Sequence, residues 1–382
     1  MKTQEIIGGR NFQPFWHSVV WLAFVAGLLA SVTPAQARID RQNDSRGVDV
    51  MQVNLYVGAD LAPVAALDPT DTNYVNDLIV TVTDTYNEIV NSDPETRLRG
   101  TAHQIFKDKP DIISLQEVSL IQIQSPGDLL LGGNTSATNV VYDYLQILMS
   151  QLKNQGVTYT VVSVQNGMDI ELPMFNQQTA TFDDVRLTDR VAILIRGDTP
   201  RSWYYSDNPQ GGNFTNVVVT ASGLPLVYGW CSIDMHIRNR DFRYICAHLC
   251  EETYPEMQVL QAQELLNGPA DTYMSVMMVG DFNTDPLQRD GSVAYSTFMD
   301  GGFTDAWTQL HKRNPGGLLT WGHDELLADP HVKFDRRIDL VLYRGSMFKP
   351  GKSIVRKIQL NRGKAPRWAT DHGAVKTGFW LR

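Results

Sequence analysis

The chain has 382 residues, with 33 Lys and Arg against 42 Asp and Glu and a formal net charge of −9 at pH 7. An acidic surface does not attract polyanions, so this balance argues against binding nucleic acid through the whole surface but does not exclude a local site. The three cysteines are too few for a fold that depends on disulfides, and their odd number leaves at least one thiol unpaired.

The first residues have the features of a secretory signal peptide. Lys2 and Arg10 precede an apolar run at 19–32, and the segment 34–37 then supplies the small-x-small pattern that signal peptidase cuts. The run is shorter than the roughly 20 residues that a membrane-spanning helix needs. We predict a signal peptide at 1–37, a flexible arm at 38–47, one domain at 48–382, and export to the medium or the periplasm. An uncleaved anchor is the alternative.

The remaining sequence predicts strands and helices in alternation. Short apolar runs predict strands buried on both faces, in VMQVNLYV, DIISLQEV, YTVVSV, VAILIR, VVVTAS, LVYGWCSIDMHI, FRYICAHL, SVMMVGDFN, RRIDLVLYR and HGAVKTGF. Apolar residues at helical spacing predict helices at about 74–106, in VYDYLQILMSQLKN, at about 254–266 and near Ala294. Hairpins need antiparallel pairs and strand–helix–strand units need parallel pairs, so an α/β (α+β) fold with mixed sheets is expected.

Two segments predict loops, and two smaller features allow alternatives. Residues 124–137 and 206–213 are rich in Gly, Pro, Asn and Ser. The aromatic residues at 203–205 could form a substrate rim or pack as ordinary edge-strand residues. Cys231 and Cys246 lie on the two arms of a predicted hairpin, where a bridge depends on the unknown register. Cys250 lacks the spacing and the soft neighbours of a metal ligand.

Polar side chains follow four of the apolar runs. Glu117 follows IISLQ, His248 follows YICA, the segment 281–283 ends VGDFN, and the pair Asp371 and His372 lies near the C-terminus. Residues on rigid strand ends can converge on one pocket. Each also has an ordinary structural explanation: an exposed Glu, a half-buried His, or an Asp that bonds its own backbone in a turn.

Cleavage of a phosphate ester needs a cation, a group that orients or deprotonates water, and donors for the developing charge. Glu117 offers a hard oxygen ligand for Mg²⁺ or Mn²⁺. Asp281 and Asn283 alternate along the chain and therefore share a face. The sequence thus contains residue types suited to each of these tasks.

Asp339 interrupts an apolar strand, and burying a carboxylate without a partner is costly. His372 is one candidate partner, because a carboxylate fixes the tautomer of an imidazole and raises its pKa. Arg336 and Arg337 are the competing partners, since either could form a salt bridge with Asp339.

In this order along the chain, SLQEV, AHL, VGDFN, RRIDLVLY and TDHGAV resemble the endonuclease/exonuclease/phosphatase superfamily. The superfamily includes deoxyribonuclease I, AP endonucleases, inositol polyphosphate 5-phosphatases and bacterial sphingomyelinases. The resemblance covers nearly the whole mature chain. It implies a four-layer α/β/β/α sandwich, with two mixed sheets packed face to face, and hydrolysis that depends on Mg²⁺ or Mn²⁺.

The resemblance also implies roles for individual residues. The catalytic positions are His248, Asp281, Asn283, Asp339 and His372; the metal ligands are Glu117 and Asp371; and Asn54 contacts the substrate. Whether Asp281 or His372 is the base stays open. His248 is typical of secreted nucleases and sphingomyelinases rather than AP endonucleases.

Two positions depart from the pattern or allow two interpretations. Tyr56 stands where some nucleases carry an acid, with Asp60 displaced, so the resemblance does not imply an accessory metal contact here. Arg190 is a candidate substrate-binding phosphate clamp, or a surface charge at the start of a strand.

These features predict a secreted, Mg²⁺-dependent phosphodiesterase, monomeric, in which water attacks in line. Nucleic acid is the first candidate substrate. A phospholipid head group, as in sphingomyelinases, is second, and a phosphomonoester is third. Acidic charge favours a small or lipid substrate, whereas the sequence shows no obvious exposed apolar hairpin for membrane contact. The alternative from another class is a secreted binding or toxin-like module on the same fold.

Overall fold

The computed structural model describes residues 47–199, 203–206, 208–289, 291, 293–360 and 363–382. The predicted signal peptide, and the predicted arm except Gly47, lie outside the described residues. In the part of the chain that is described, no helix combines the length and apolar character needed to cross a membrane.

The fold is mixed α/β. The strands are β1 Val48–Asn54, β2 Ile112–Gln116, β3 Leu120–Gln124, β4 Asn139–Asp143, β5 Tyr159–Asn176, β6 Thr181–Arg196, β7 Tyr204–Tyr205, β8 Gln210–Asn213, β9 Val218–Val219, β10 Pro225–Leu226, β11 Gly229–Ile237, β12 Arg240–His248, β13 Ser275–Asp281, β14 Thr304–Asp305, β15 Asp339–Arg344, β16 Phe348–Arg356 and β17 Ala374–Leu381. The helices are α1 Ala62–Ala65, α2 Tyr74–Asn91, α3 Pro94–Asp108, α4 Tyr144–Asn154, α5 Pro255–Asn267, α6 Ala294–Asp300 and α7 Ala306–Leu310, with a 3₁₀ turn at Leu129–Leu131.

Two mixed sheets form the centre of the molecule. The first has the order β16-β17-β1-β2-β6-β3-β4, with β5 paired to β6, and its β1–β2 pair is parallel. The second has the order β14-β15-β13-β12-β11-β7, with β8 paired to β11, and its β12–β13 pair is parallel. The remaining neighbours that bear on the site, β1–β17 and β13–β15, are antiparallel.

Successive side chains of a strand point to opposite faces of its sheet, and this alternation produces separate layers of core residues. On β1, Val48 and Val50 belong to the core between the two sheets, whereas Met51 and Val53 belong to the core under α2, α3 and α4. A third core joins the outer face of the second sheet to α5 and α6. The expected four-layer α/β/β/α sandwich, with its two mixed sheets face to face, is therefore confirmed.

The helical region predicted at about 74–106 is two helices with a sharp break. Asp93 has a left-handed φ of 53° and caps α3 by accepting a hydrogen bond from Thr96 N at 3.2 Å. Pro94 is the first residue of α3, because a proline fits the first turn of a helix but interrupts one already formed.

The β5–β6 hairpin is much longer than the sequence predicts. Only YTVVSV and VAILIR were expected as strands, yet β5 has 18 residues and β6 has 16. At its far end, the Phe175 and Phe182 side chains are 38% and 43% exposed, and their rings meet edge to face at 5.7 Å. The end of the hairpin therefore carries an exposed aromatic pair that the sequence analysis did not predict.

The other expected features of the chain have mixed outcomes. Part of the predicted loop at 206–213 is strand β8, which pairs with β11. Trp203 is buried in the core between the sheets, and Tyr204 stacks on His236 at 4.2 Å, so this aromatic segment packs on the edge of the sheet. Cys231 and Cys246 are directly opposite across β11 and β12, but both are free thiols, as is Cys250.

Candidate active site

Strand pairing brings the polar residues of the sequence to one edge of the sandwich. In the first sheet, Asn54 at the end of β1 lies opposite Gln116, the residue before Glu117. In the second sheet, Asp281 at the end of β13 has His248 opposite it on one side and Asp339 on the other. The parallel pairs place the carboxyl ends of β1, β2, β12 and β13 together, which is why residues distant in sequence meet here.

Asn54 joins the two sheets at this edge. Its Nδ2 donates to Glu117 Oε1 at 2.8 Å and to Asp281 Oδ2 at 3.0 Å, while its Oδ1 accepts from Tyr56 N at 2.9 Å. Glu117 Oε2 accepts from Val57 N at 2.7 Å. Asn54 is fully buried, so its amide fixes both carboxylates without contact with solvent.

Backbone conformations at the site are unusual for residues with side chains. Tyr56, Glu117 and Asn283 have φ values of 59°, 50° and 47°. Such left-handed conformations cost on the order of 1–3 kcal/mol each and persist only where the surroundings enforce them. Their concentration among the candidate residues is typical of a functional site.

Asp281, Asn283 and His248 form the second group. Asp281 Oδ1 accepts from Asn283 N at 3.0 Å, and Asn283 Nδ2 donates to Leu249 O at 2.9 Å and lies 3.4 Å from His248 Nε2. His248 Nε2 is 3.7 Å from Asp281 Oδ2. This hydrogen bond from Asn283 N to the Asp281 side chain is the one expected for a turn. It leaves Asp281 Oδ2 directed at the two histidines.

Asp339 is partnered by His372, as one of the sequence hypotheses expected. His372 Nδ1 lies 2.9 Å from Asp339 Oδ2, and His372 Nε2 lies 3.6 Å from Asp281 Oδ2. The competing partners are engaged elsewhere: Arg337 pairs with Asp305 and Arg336 with Glu252. Because Nδ1 faces a carboxylate, the free nitrogen Nε2 points toward Asp281.

Asp371 completes the cluster. Its Oδ2 accepts from Trp321 Nε1 at 3.1 Å, and its Oδ1 lies 3.9 Å from His372 Nε2. Thr370 Oγ1 donates to Asn54 O at 2.9 Å, which ties the segment before β17 to the end of β1.

Burial and mutual repulsion set the protonation of this cluster. Burial, and then the charge of Asp371, raise the pKa of Glu117; burial, and then Asp339, raise the pKa of Asp281 well above its usual range. Burial opposes the charged form of His372, but the carboxylates of Asp339, Asp371 and Asp281 outweigh it and raise its pKa. His372 is therefore the cation of the site.

His248 differs from His372. Burial, and then the positive charge of His372, lower the pKa of His248 to about 3, so its imidazole is neutral at physiological pH. Among the described residues its Nδ1 has no hydrogen-bond partner, and the nearest carboxylate oxygen, Asp189 Oδ2, is 4.0 Å away. A neutral imidazole can donate a hydrogen bond to a phosphoryl oxygen or to the oxygen of the leaving group.

The donor set fits a hard divalent cation at Glu117 and Asp371. Both residues offer carboxylate oxygens, and their repulsion in a buried setting is what a cation between them would relieve. Ligand atoms of Asp281, Asp339 and His372 also lie within 4.8 Å of one another. This second group suits a metal less well, because Asp339 and His372 Nδ1 already form a hydrogen bond with each other.

The phosphate-clamp hypothesis for Arg190 is wrong. The side chain is buried, and its guanidinium binds Val118 O at 2.7 Å and Asp143 Oδ1 at 2.6 Å. The alternative of a surface charge is wrong too. Neighbouring residues on a strand face opposite ways, so Asp189 rather than Arg190 faces the site.

Sequence reasoning missed several residues of the site. Asp189 lines the same cavity as the cluster, and burial, then Glu117, raise its pKa to about 8. Trp321 holds Asp371 and pairs its backbone with His372. Gln52 Nε2 donates to Asp339 Oδ1 and to Gln116 Oε1. A polar Gln inside the apolar run VMQVN was a usable signal, whereas Asp189 and Trp321 have no distinctive sequence pattern.

Comparisons with known proteins show the family to which the chain belongs. A model of the Endonuclease/Exonuclease/phosphatase family matches residues 51–372. A search of curated proteins found no significant match.

Two solved structures have a similar fold. An endonuclease/exonuclease/phosphatase family protein from Leptotrichia buccalis C-1013-b is 15% identical, with a TM-score of 0.51 over 88% of this chain and 100% of that one. The endonuclease/exonuclease/phosphatase from Beutenbergia cavernae DSM 12333 is 16% identical, with a TM-score of 0.51 over 88% of this chain and 72% of that one. On the family match, the chain belongs to the endonuclease/exonuclease/phosphatase family, whose members hydrolyse phosphoric esters.

Proposed function

We propose that the protein is an exported, monomeric phosphodiesterase that depends on a divalent metal ion, Mg²⁺ or Mn²⁺. The observation that carries the proposal is the convergence of three ionisable side chains on one buried point. Asp281 Oδ2 has His372 Nε2 at 3.6 Å and His248 Nε2 at 3.7 Å. Such an arrangement can remove a proton, stabilise negative charge and donate a hydrogen bond within one site.

In the proposed reaction, water attacks phosphorus in line with the departing ester oxygen. One P–O bond to water forms while one P–O ester bond breaks. Asp281 is placed to accept the proton of the water, and cationic His372, oriented by Asp339, stabilises the negative charge on the phosphoryl oxygens. The proton finally reaches the leaving alkoxide, so no covalent enzyme intermediate is needed.

The other residues position these groups. Asn54 holds Glu117 and Asp281 at fixed distances, and Asn283 lies beside the neutral His248 that faces the phosphoryl oxygens. A divalent cation held by Glu117 and Asp371 would supply Lewis-acid neutralisation of the phosphate charge. Our assignment favours Asp281 over His372 as the base, because the surrounding carboxylates keep His372 protonated. The positive charge of His372 and the hydrogen bond from Asn54 oppose the rise in the pKa of Asp281 and so favour its carboxylate form, and a carboxylate with a raised pKa is a stronger base.

The test is hydrolysis of bis-p-nitrophenyl phosphate by the purified protein. We expect turnover with Mg²⁺ or Mn²⁺, loss of turnover in EDTA, and recovery when excess metal is added. The monoester p-nitrophenyl phosphate serves as the comparison, and we expect it to react more slowly. Absence of diester turnover with either metal, or turnover that EDTA leaves unchanged, would show that the proposal is wrong. Nucleic acid, the first substrate class expected from the sequence, is also a phosphodiester and therefore a candidate substrate of this reaction.

A further inference from the structure

The catalytic cluster occupies only one end of a cavity of about 790 Å³. This volume is in the range of sites that enclose a small organic ligand. Beyond Asp189 and Glu117, the walls come from the β5–β6 hairpin, from α1 and α2, and from the β9–β10 hairpin. We call the part of the cavity that lies beyond Asp189 and Glu117 the apolar chamber.

The β5–β6 hairpin gives the apolar chamber one continuous wall. Ile170 and Leu172 of β5 line it, as do their cross-strand partners Leu187 and Val185 of β6. The same row of β6 ends at Asp189, beside His248. With about 3.3 Å per strand residue, the apolar row from Val185 to Asp189 extends roughly 13 Å from the catalytic cluster.

The residues that alternate with this row, Asp169, Glu171, Arg186 and Thr188, are polar and face the other way. Arg186 pairs with Asp169, with its Nε 2.7 Å from Oδ1, and Thr188 Oγ1 donates to the same oxygen at 3.0 Å. The hairpin is therefore amphipathic, with its apolar face turned to the chamber. Period-two alternation in the sequence specifies this orientation.

Helices and a small hairpin close the other sides. Val82 and Ile89 of α2 line the apolar chamber opposite β5, and Leu224 and Leu226 of the β9–β10 hairpin cover it. A hydrogen bond of 3.1 Å from Ser222 N to Ala65 O fixes this cover to α1. A largely apolar cleft that leads to the catalytic cluster suits a hydrocarbon chain attached to phosphate.

The charges around the cavity disfavour a polyanion. None of the described residues that line it is Lys or Arg, whereas acidic side chains line it at Asp60, Glu117, Asp189, Glu251, Glu252, Asp281, Glu325 and Asp371. The nearby Arg336 lies over the Trp321 ring at 3.9 Å and pairs with Glu252. Nucleic-acid binding depends on Lys and Arg contacts to successive phosphates, which this site does not offer.

The end of the hairpin provides a second, independent observation. Phe175 and Phe182 are exposed there, and Leu131, on the 3₁₀ turn, is 87% exposed. Gly127 N donates to Phe182 O at 2.9 Å, which holds the segment before this turn against the hairpin end. Neither 125–137 nor 175–182 contains Lys or Arg, so this apolar surface suits a zwitterionic rather than an anionic lipid layer.

We propose that the substrate is a lipid phosphodiester, whose hydrocarbon chain enters the apolar chamber while its phosphate lies at the catalytic cluster. This inference rests on the proposed phosphodiesterase function and names its substrate class. The exposed Phe175 and Phe182 are the contact with the lipid layer from which the substrate is drawn.

The test compares methyl p-nitrophenyl phosphate with octyl p-nitrophenyl phosphate, both below the concentration at which the octyl ester aggregates, with Mg²⁺ present. The reacting bond is the same in both, so their ratio of kcat/KM reports on the chain. We expect kcat/KM to rise roughly fourfold for each methylene that enters the chamber, and by at least about 100-fold from methyl to octyl.

Leu226→Glu and Val219→Glu form a matched pair of variants in the β9–β10 hairpin. Leu226 lines the chamber, whereas Val219 is 66% exposed on the paired strand. Leu226→Glu should lower the octyl-to-methyl ratio at least tenfold, and Val219→Glu should leave both the ratio and the methyl-ester rate unchanged.

Three results would overturn the inference. The unmodified protein could hydrolyse the two esters equally well; Leu226→Glu could keep the full octyl advantage; or plasmid DNA could be cleaved with a higher kcat/KM than the octyl ester. In all three the methyl ester or DNA is still hydrolysed, so the proposed phosphodiesterase function stands. Failure to hydrolyse either ester or DNA instead removes the proposed function, and the inference with it.

Discussion

Glu117 is a half-buried carboxylate whose role can be measured without a substrate. Replacing it with Gln keeps the size of the side chain and removes the charge that the cation would neutralise. We predict that Glu117→Gln weakens Mn²⁺ or Mg²⁺ binding at least tenfold in isothermal titration calorimetry. Glu88→Gln, which changes a half-buried residue of α2 outside the cavity lining, is the control and should bind metal as the unmodified protein does. Equal affinity in both variants would exclude Glu117 as a ligand.

At the residue scale, the sequence located most of the site. Glu117, His248 and Asp281 were recognisable because each lies at the end of an apolar run, and Asp339 was recognisable because it interrupts one. The choice between His372 and an arginine as the partner of Asp339 was not recognisable, since it depends on how β15 and β17 are placed. The role of Arg190 was misjudged because a sequence does not show which face of a strand is turned to the site.

At the scale of elements, α3 supports the loops of the site through Arg97. This side chain is completely buried, and its guanidinium donates to Leu55 O at 2.9 Å, to Tyr56 O at 3.1 Å and to Ala369 O at 3.1 Å. These carbonyls belong to the segments that follow Asn54 and precede Asp371. Arg97 therefore connects one helix to both halves of the catalytic cluster.

Removing this guanidinium should be costly. We predict that Arg97→Met lowers the free energy of unfolding by about 3–5 kcal/mol, because several buried carbonyls lose their donors together. Urea denaturation measures the change. Arg99→Met, on the exposed face of the same helix, is the control and should change stability by less than about 0.5 kcal/mol. If the two variants were equally stable, Arg97 would not hold the loops.

The exposed Phe175 and Phe182 at the end of the β5–β6 hairpin lead to a prediction about lipid binding. The double variant Phe175→Ser, Phe182→Ser should bind phosphatidylcholine vesicles at least tenfold more weakly in a sedimentation assay, because each buried Phe contributes about 1.5–3 kcal/mol. Tyr273→Ser removes a fully exposed aromatic ring elsewhere, 101% exposed, and should bind as before. Vesicle binding that survives in the double variant would contradict the proposed contact.

The hairpin also shows where prediction from sequence stopped. Its outer half alternates apolar and polar residues, as an amphipathic strand does, but Gly167, Pro173 and the polar turn at 176–181 weaken that pattern. A search for continuous apolar runs therefore found only the inner half. The apolar chamber depends on the position of this half against α1, α2 and the β9–β10 hairpin, which no local pattern specifies.

At the scale of the whole molecule, the layered fold was predictable from two patterns in the sequence. Continuous apolar runs predict buried strands, helical spacing predicts helices between them, and few arrangements of layers bury both.

One buried carboxyl group that affects the stability of the fold lies far from the site. Asp111, just before β2, accepts from Asp49 N at 2.8 Å and pairs with Arg196 at 2.9 Å. Burial raises its pKa to about 6, and the attraction of Arg196 only partly opposes this rise.

The sign of the effect on stability follows from the raised pKa. The folded protein prefers protonated Asp111, so this stabilisation is complete below pH 3.8 and is lost as the pH rises through about 6. We predict that, from pH 4 to pH 7, Asp111→Asn gains up to about 3 kcal/mol of stability relative to the unmodified protein, at about 1.36 kcal/mol per pH unit. Urea denaturation at both pH values measures it. A difference that does not change with pH would show that the pKa of Asp111 is not raised.

The central claim is that the buried cluster around Asp281 cleaves phosphodiesters, and its most direct test is the rate of the Asp281→Asn variant. Asn keeps the shape and the hydrogen bond from Asn283 N but cannot accept the proton of water. With saturating Mg²⁺, we expect kcat for bis-p-nitrophenyl phosphate to fall by about 10²–10⁴-fold, while circular dichroism shows an intact fold. A folded Asp281→Asn protein that hydrolyses the diester at the unmodified rate would contradict the account.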